Sequence, residues 1–202
     1  MLFGSSSITQ LLALVVVVPL LTRIFPDKGV HGDMTVFMSI MAIGASFFTL
    51  KYDQAVMIED DRETAKSLVK LASIIAFVFF VLSYVFLAIF STNIASYMGL
   101  LETPSWLYLV PLTIFLTAMV DILLVWWNRE KKYKKLSFNR IATFIGSAGF
   151  KIVHGGLKFN GPNGLILGHT FGQLISVVLF LPKTIVKNLS VNKEILVYLW
   201  RR

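Results

Sequence analysis

Trp126-Trp127-Asn128-Arg129-Glu130-Lys131-Lys132-Tyr133-Lys134-Lys135 decides how the rest of the chain is read. Two indole rings end a long apolar run, and a dense cationic cluster follows at once. A helix that leaves a bilayer on the cytoplasmic side has this composition. Trp favours the headgroup level, and Lys and Arg are retained on the side where the chain was made. The stretch predicts an integral membrane protein with this helix end inside.

Composition agrees. The chain has 202 residues, 56% of them hydrophobic and 17 of them Phe. Its mean hydropathy is +0.74. A soluble domain carries about 25% charged residues, whereas this chain carries 15%. The formal charge of +8 would suggest a nucleic-acid partner in a soluble protein. Here the cations fall between apolar runs, so the charge reads as topology and no nucleic acid is expected. With no cysteine there is neither a disulfide nor a thiolate metal site, and no cofactor is expected. The opening residues lack a basic segment and a small-residue cleavage site, so the first apolar run reads as a retained helix.

A membrane span needs about 20 mainly apolar residues. Six runs are marked: Ser6 to Ile24, Thr35 to Met57, Val69 to Phe90, Trp106 to Trp127, Ile141 to Val153 and Gly164 to Leu181. Lys51 and Asp53 interrupt the second, and Lys151 and His154 cut the fifth short. Charge settles whether the fifth counts. With six spans and the N-terminus inside, fifteen of the nineteen Lys and Arg residues are cytoplasmic. Without the fifth, the tail cations move outside, against the positive-inside bias. The expectation is an all-α, six-helix membrane bundle in one lobe, residues 1–202, with both termini cytoplasmic and the lipid bilayer as its solvent.

The connections fit. Pro26-Asp27-Lys28-Gly29 and Asn160-Gly161-Pro162-Asn163-Gly164 are turn chemistry on the outer side. Asp60-Asp61-Arg62-Glu63 reads as a capping box with Asp60 as N-cap, opening an amphipathic segment, Thr64 to Leu71. The basic, amphipathic tail Val191 to Arg202 fits the inner surface. Pro19 should kink the first helix, since it removes one ladder bond.

No nucleophile–base pair, metal-ligand spacing or phosphate loop is present, so the residues do not point to an enzyme. What remains is a set of polar residues in or beside spans. Arg23, Lys51 and Lys151 either snorkel to the interface or face an aqueous cavity and bind an anion. Asp121 is the one carboxylate well inside an apolar run, about 9 Å from Trp127 at helical rise. It reads as the partner of a cation such as Lys51 or as a proton or ion relay. His169 and Gln173 are one turn apart in the sixth span, and Gln10 and Ser6 form a similar pair in the first. Each pair either lines a cavity or bonds a neighbouring helix. Gly164, Gly168 and Gly172 recur every four residues, a spacing that lets helix backbones approach closely.

Several of these stretches resemble one family. Gln10-Leu11-Leu12 and Pro19-Leu20-Leu21-Thr22-Arg23-Ile24-Phe25-Pro26, with Gly32 beyond, are similar to the first helix and loop of polysaccharide flippases. These belong to the multidrug/oligosaccharidyl-lipid/polysaccharide exporter superfamily. Leu50-Lys51-Tyr52-Asp53-Gln54-Ala55-Val56 resembles their second-helix signature, with Lys and Asp where Arg and Glu are usual. Trp127-Asn128-Arg129 through Tyr133, then Asn139-Arg140-Ile141, resembles the link between helices four and five. Asn163-Gly164-Leu165-Ile166-Leu167-Gly168 with Gly172-Gln173-Leu174-Ile175 resembles helix six.

The resemblance implies the first six-helix lobe of a two-lobe transporter in the bacterial inner membrane. Its substrate would be an undecaprenyl-diphosphate-linked oligosaccharide, the repeat unit of a polysaccharide or O-antigen, and its partner a second six-helix lobe. Substrate contacts would come from Arg23, Lys51, Lys151, Gln10, His169 and Gln173, with Asp121 as a relay. The alternatives are an exporter of drugs or small molecules and a truncated, non-transporting membrane fragment. The first span lacks the acidic residue on which drug exporters often rely.

Overall fold

The structure, a computed structural model, describes residues 13–97, 105–157 and 162–181. Every regular element among them is helical. A π-helical turn at Ala13–Val17 leads into α1, Val18–Ile24. Then follow α2 at Lys28–Thr49, α3 at Tyr52–Ile58 and α4 at Arg62–Tyr97. A 3-10 turn at Ser105–Leu109 opens α5 at Val110–Arg129; α6 spans Tyr133–Gly156 and α7 Pro162–Phe180. Ser6, Gln10, the Asn160-Gly161 half of the second outer turn and the tail Val191 to Arg202 lie outside the described residues.

Four of these helices are long and apolar enough to cross a membrane: α2, α4, the continuous unit Ser105–Arg129, and α7. The expected six spans therefore appear as four by this measure, among the described residues. The other two runs differ for physical reasons. The first is described from residue 13 onward, and its ladder changes from π to α just ahead of Pro19. The fifth is one unbroken helix of 24 residues, longer than expected, but Lys134, Lys135, Arg140 and Lys151 dilute its apolar character.

Three boundaries depart from the sequence reading. The second run is two helices, because Leu50 and Lys51 both adopt the left-handed conformation, with φ of 47° and 61°. The N-cap of α4 is Asp61 and not Asp60. The Asp61 carboxylate accepts from the Thr64 amide and the Thr64 hydroxyl, both at 2.7 Å. These bonds from Thr64 hold the Asp61 carboxyl below the usual carboxylate range. Glu63 does not close a reciprocal box but pairs with Lys66 one turn on. Trp126 and Trp127, expected at a lipid headgroup level, face protein. They are 3% and 6% exposed, packed among Val56, Leu68, Ile122 and Leu136.

Beside these Trp residues the chain builds a polar clasp. The Arg129 guanidinium donates to the carbonyls of Val56 at 3.4 Å, Asp60 at 3.1 Å and Glu59. These carbonyls end α3, where a cation is favoured by the helix dipole. Arg62 makes a bidentate pair with Glu130, with bonds of 3.1 and 2.9 Å. At the other end of the bundle, the Asp27 side chain caps α2 by accepting from the Gly29 amide at 2.8 Å. His31 Nε2 donates to the Phe25 carbonyl at 2.9 Å, which places the ring proton on that nitrogen. A larger core centres on Phe37, Trp106, Ile114 and Ile166, joining α2, α5 and α7.

The tightest packing lies between α6 and α7. Gly164, Gly168 and Gly172, expected to favour close approach, are buried on the α6 side of α7. A Cβ at Gly172 would meet the Thr143 carbonyl oxygen and the Ser147 Cβ, each at 2.8 Å. One at Gly168 would run into the Lys151 stem, and one at Gly164 into the His154 ring. Gly146 on α6 faces Ile175 and the Gly172 backbone in turn. Gly149, also on α6, has nothing within 4 Å of the equivalent point.

The seam predicts opposite outcomes for one chemical change. Gly172→Ala forces backbone apart and should destabilise by about 1–3 kcal/mol, the usual overpacking cost. Gly149→Ala meets open space and should stabilise by about 0.5–1 kcal/mol through helix propensity. Thermal midpoints of the detergent-purified variants should fall and rise, respectively. Equal midpoints would mean that α6 and α7 are not in close contact.

Candidate functional site

Three helices carry polar side chains four residues apart, so each presents a polar stripe along one face. Thr117 and Asp121 form it on α5, Asn139, Thr143 and Ser147 on α6, and His169 and Gln173 on α7. The glycine seam brings the stripes of α6 and α7 together, and α5 closes the third side. The seven residues line a cavity of about 570 Å³, with Arg140 and the apolar Val120, Leu124 and Phe144 completing its wall.

Hydrogen bonding around this space is incomplete. Asn139 is 2% exposed. Its Oδ1 accepts from the Ser176 hydroxyl at 3.0 Å, while its Nδ2 has no partner. Thr117 Oγ1 and Gln173 Oε1 are also buried without partners. A buried polar group left unmet costs about 1–3 kcal/mol, and no lipid tail can relieve it. All three belong to residues of the cavity wall, though neighbouring protein atoms cover the unmet atoms themselves.

Nearby polar atoms are by contrast satisfied. Thr113 and Thr170 share a hydroxyl–hydroxyl bond of 2.7 Å between α5 and α7. The Trp127 indole donates to the Phe180 carbonyl at 3.3 Å. Both contacts join α5 to α7, while outside the cavity the Trp106 indole N–H is a further buried atom without a partner.

The sequence-derived candidates divide. Asp121, His169 and Gln173 come together on the cavity wall, and the His169 ring stands edge-on to Phe37 with centroids 6.3 Å apart. Lys151 adjoins it, one turn beyond Ser147 with its stem against Gly168. Lys51 does not join them. It is exposed at the α2–α3 corner, where its ammonium donates to Ser46 Oγ at 3.3 Å. That corner lies on the side of the Arg129 clasp, whereas Lys151 is about 27 Å along α6 from Tyr133 at helical rise. Arg23 is exposed near the end of α1, which packs Ile24 and Phe25 against Gly155 of α6. Gln10 lies outside the described residues.

Asn139, Thr117, Thr143 and Ser147 were not singled out from sequence. The signal was there in the four-residue spacing of Asn139, Thr143 and Ser147. Starting the fifth span at Ile141 assigned Asn139 to a connection and cut the stripe. Comparisons with protein-family models, with curated proteins and with solved structures found no match for this chain.

Proposed function

We propose that this chain is a six-span lobe of a transporter that moves an undecaprenyl-diphosphate-linked oligosaccharide from the inner to the outer leaflet. A second six-helix lobe would face it, and rocking of the two would alternate access. The observation that carries the reading is the cavity between α5, α6 and α7, where seven polar residues from three helices line one space. The substrate class rests on the sequence resemblance. In this reading Asn139, Gln173 and Thr117 contact polar substrate groups, His169 and Asp121 tune the site, and Asp121 is the candidate relay. Lys151 and Arg23 supply positive charge toward the outer side and Lys51 toward the inner side, where an anionic diphosphate must be compensated on leaving water.

The topology in this reading is six spans, with α1 and the residues before it as the first and α6 as the fifth, and both termini cytoplasmic. The chain has no cysteine of its own, so introduced thiols report cleanly. In intact cells an impermeant maleimide should label Ser96→Cys, on the exposed last turn of α4, and should not label Lys134→Cys. The reverse pattern would invert the topology.

The transport reading is tested in the source cell by deleting the gene and complementing it. Loss should cause lipid-linked oligosaccharide to accumulate on the cytoplasmic leaflet. Asn139→Leu and Gln173→Leu, which fill the cavity with apolar atoms, should restore export at least tenfold less well than the parent chain at equal abundance. Unchanged levels of lipid-linked oligosaccharide in the deletion would refute this function.

A further inference from the structure

At the α5–α6 turn lies a second cavity, of about 810 Å³, within the range of about 300–1,000 Å³ typical of small-molecule sites. Four of its lining residues are Lys131, Lys132, Lys134 and Lys135, and Phe138 and Ile141 continue it along α6. Its walls are nonetheless apolar, because the lysines line it chiefly with their methylene stems. Phe138 is 60% exposed there.

The charge at the rim is poorly balanced. Among the described residues Lys132 pairs with Glu130 at 3.9 Å, but Glu130 is already held by Arg62 at 2.9 Å. Lys132 and Lys135 lie over the Trp127 ring at 5.0 and 4.1 Å from its centroid, which orders them without neutralising them. The positive-inside bias asks for cations in this connection. It does not ask for lysine stems to wall an apolar slot where a helix leaves the membrane.

From this combination we infer that the slot binds an anionic phospholipid of the inner leaflet. The phosphate is held among the four ammonium groups, and an acyl chain runs along Phe138 and Ile141. Charge complementarity chooses the headgroup, and the apolar walls choose a lipid over a free anion. The inference rests on the membrane placement proposed above and is independent of what the lobe transports.

Purified full-length chain in mild detergent, titrated with phosphatidylglycerol and read by native mass spectrometry, tests it. Phosphatidylglycerol should be retained in preference to phosphatidylcholine. Lys131→Gln with Lys134→Gln, which spares both lysines over Trp127, should weaken phosphatidylglycerol binding about 25-fold, at about fivefold per lysine. Lys132→Arg with Lys135→Arg should bind nearly as the parent does, since charge and ring contact survive. Lys66→Gln with Lys70→Gln, the same charge change on α4, should alter binding less than twofold. An equal loss in that control would mean diffuse surface charge and overturn the site. Equal competition by phosphatidylcholine, or by glycerol phosphate without chains, would also overturn it. Resistance to alkaline carbonate extraction is scored separately; its failure would remove the membrane placement itself.

Discussion

The close approach of α6 and α7 governs the rest of the molecule. Gly168 and Gly172 bring the α7 backbone up to the α6 backbone at Ser147 and Thr143, while Gly164 and Gly146 make room for the His154 and Ile175 side chains. In an apolar surround, no hydrophobic effect pushes helices together, so packing and interhelical hydrogen bonds must do it. The seam supplies the packing, and the Asn139–Ser176 bond supplies a polar tie along the same contact. Once α6 and α7 are fixed at this distance, their polar stripes have nowhere to face except each other and α5. The cavity follows from the glycines as much as from the polar residues that line it.

At the cationic end, a different rule applies. In the clasp the polar groups are paired, although the lysines of the neighbouring slot keep their charge. Arg129 closes the carbonyl end of α3, and Arg62 holds Glu130. This ties α3, α4 and α5 into one block beneath the buried Trp126 and Trp127. The two regions differ in this: the clasp is satisfied, whereas three residues of the cavity wall carry buried polar atoms without partners.

Much of the fold was legible because apolar runs of helical length and the distribution of Lys and Arg are local properties. The helical class, the four helices long and apolar enough to cross a membrane, and the glycine face of α7 all follow from such patterns. The errors arose where tertiary contacts override them. Trp126 and Trp127 carry the composition of an interfacial belt, yet α3 and the start of α6 cover them. Lys51 breaks its helix not by charge but by a left-handed backbone that no propensity announces. The cavity was half legible. His169, Gln173 and Asp121 stood out as polar residues within apolar runs, whereas Asn139 was lost to a boundary drawn two residues too late. Which stripes face each other depends on helix rotation, and one sequence does not fix that.

The corner at Leu50 and Lys51 has a mechanical side. Two successive L-residues held in the left-handed region cost roughly 1–2 kcal/mol each, and neither is a glycine that would relieve it. The short helix beyond is anchored to α5 through Arg129, while α2 is seated on α5 through Gly44 and Ile114. The joint between them is therefore held from both sides. A continuous right-handed helix through Leu50 and Lys51 would escape that cost, so contacts such as those of Arg129 with the end of α3 must outweigh it in this structure.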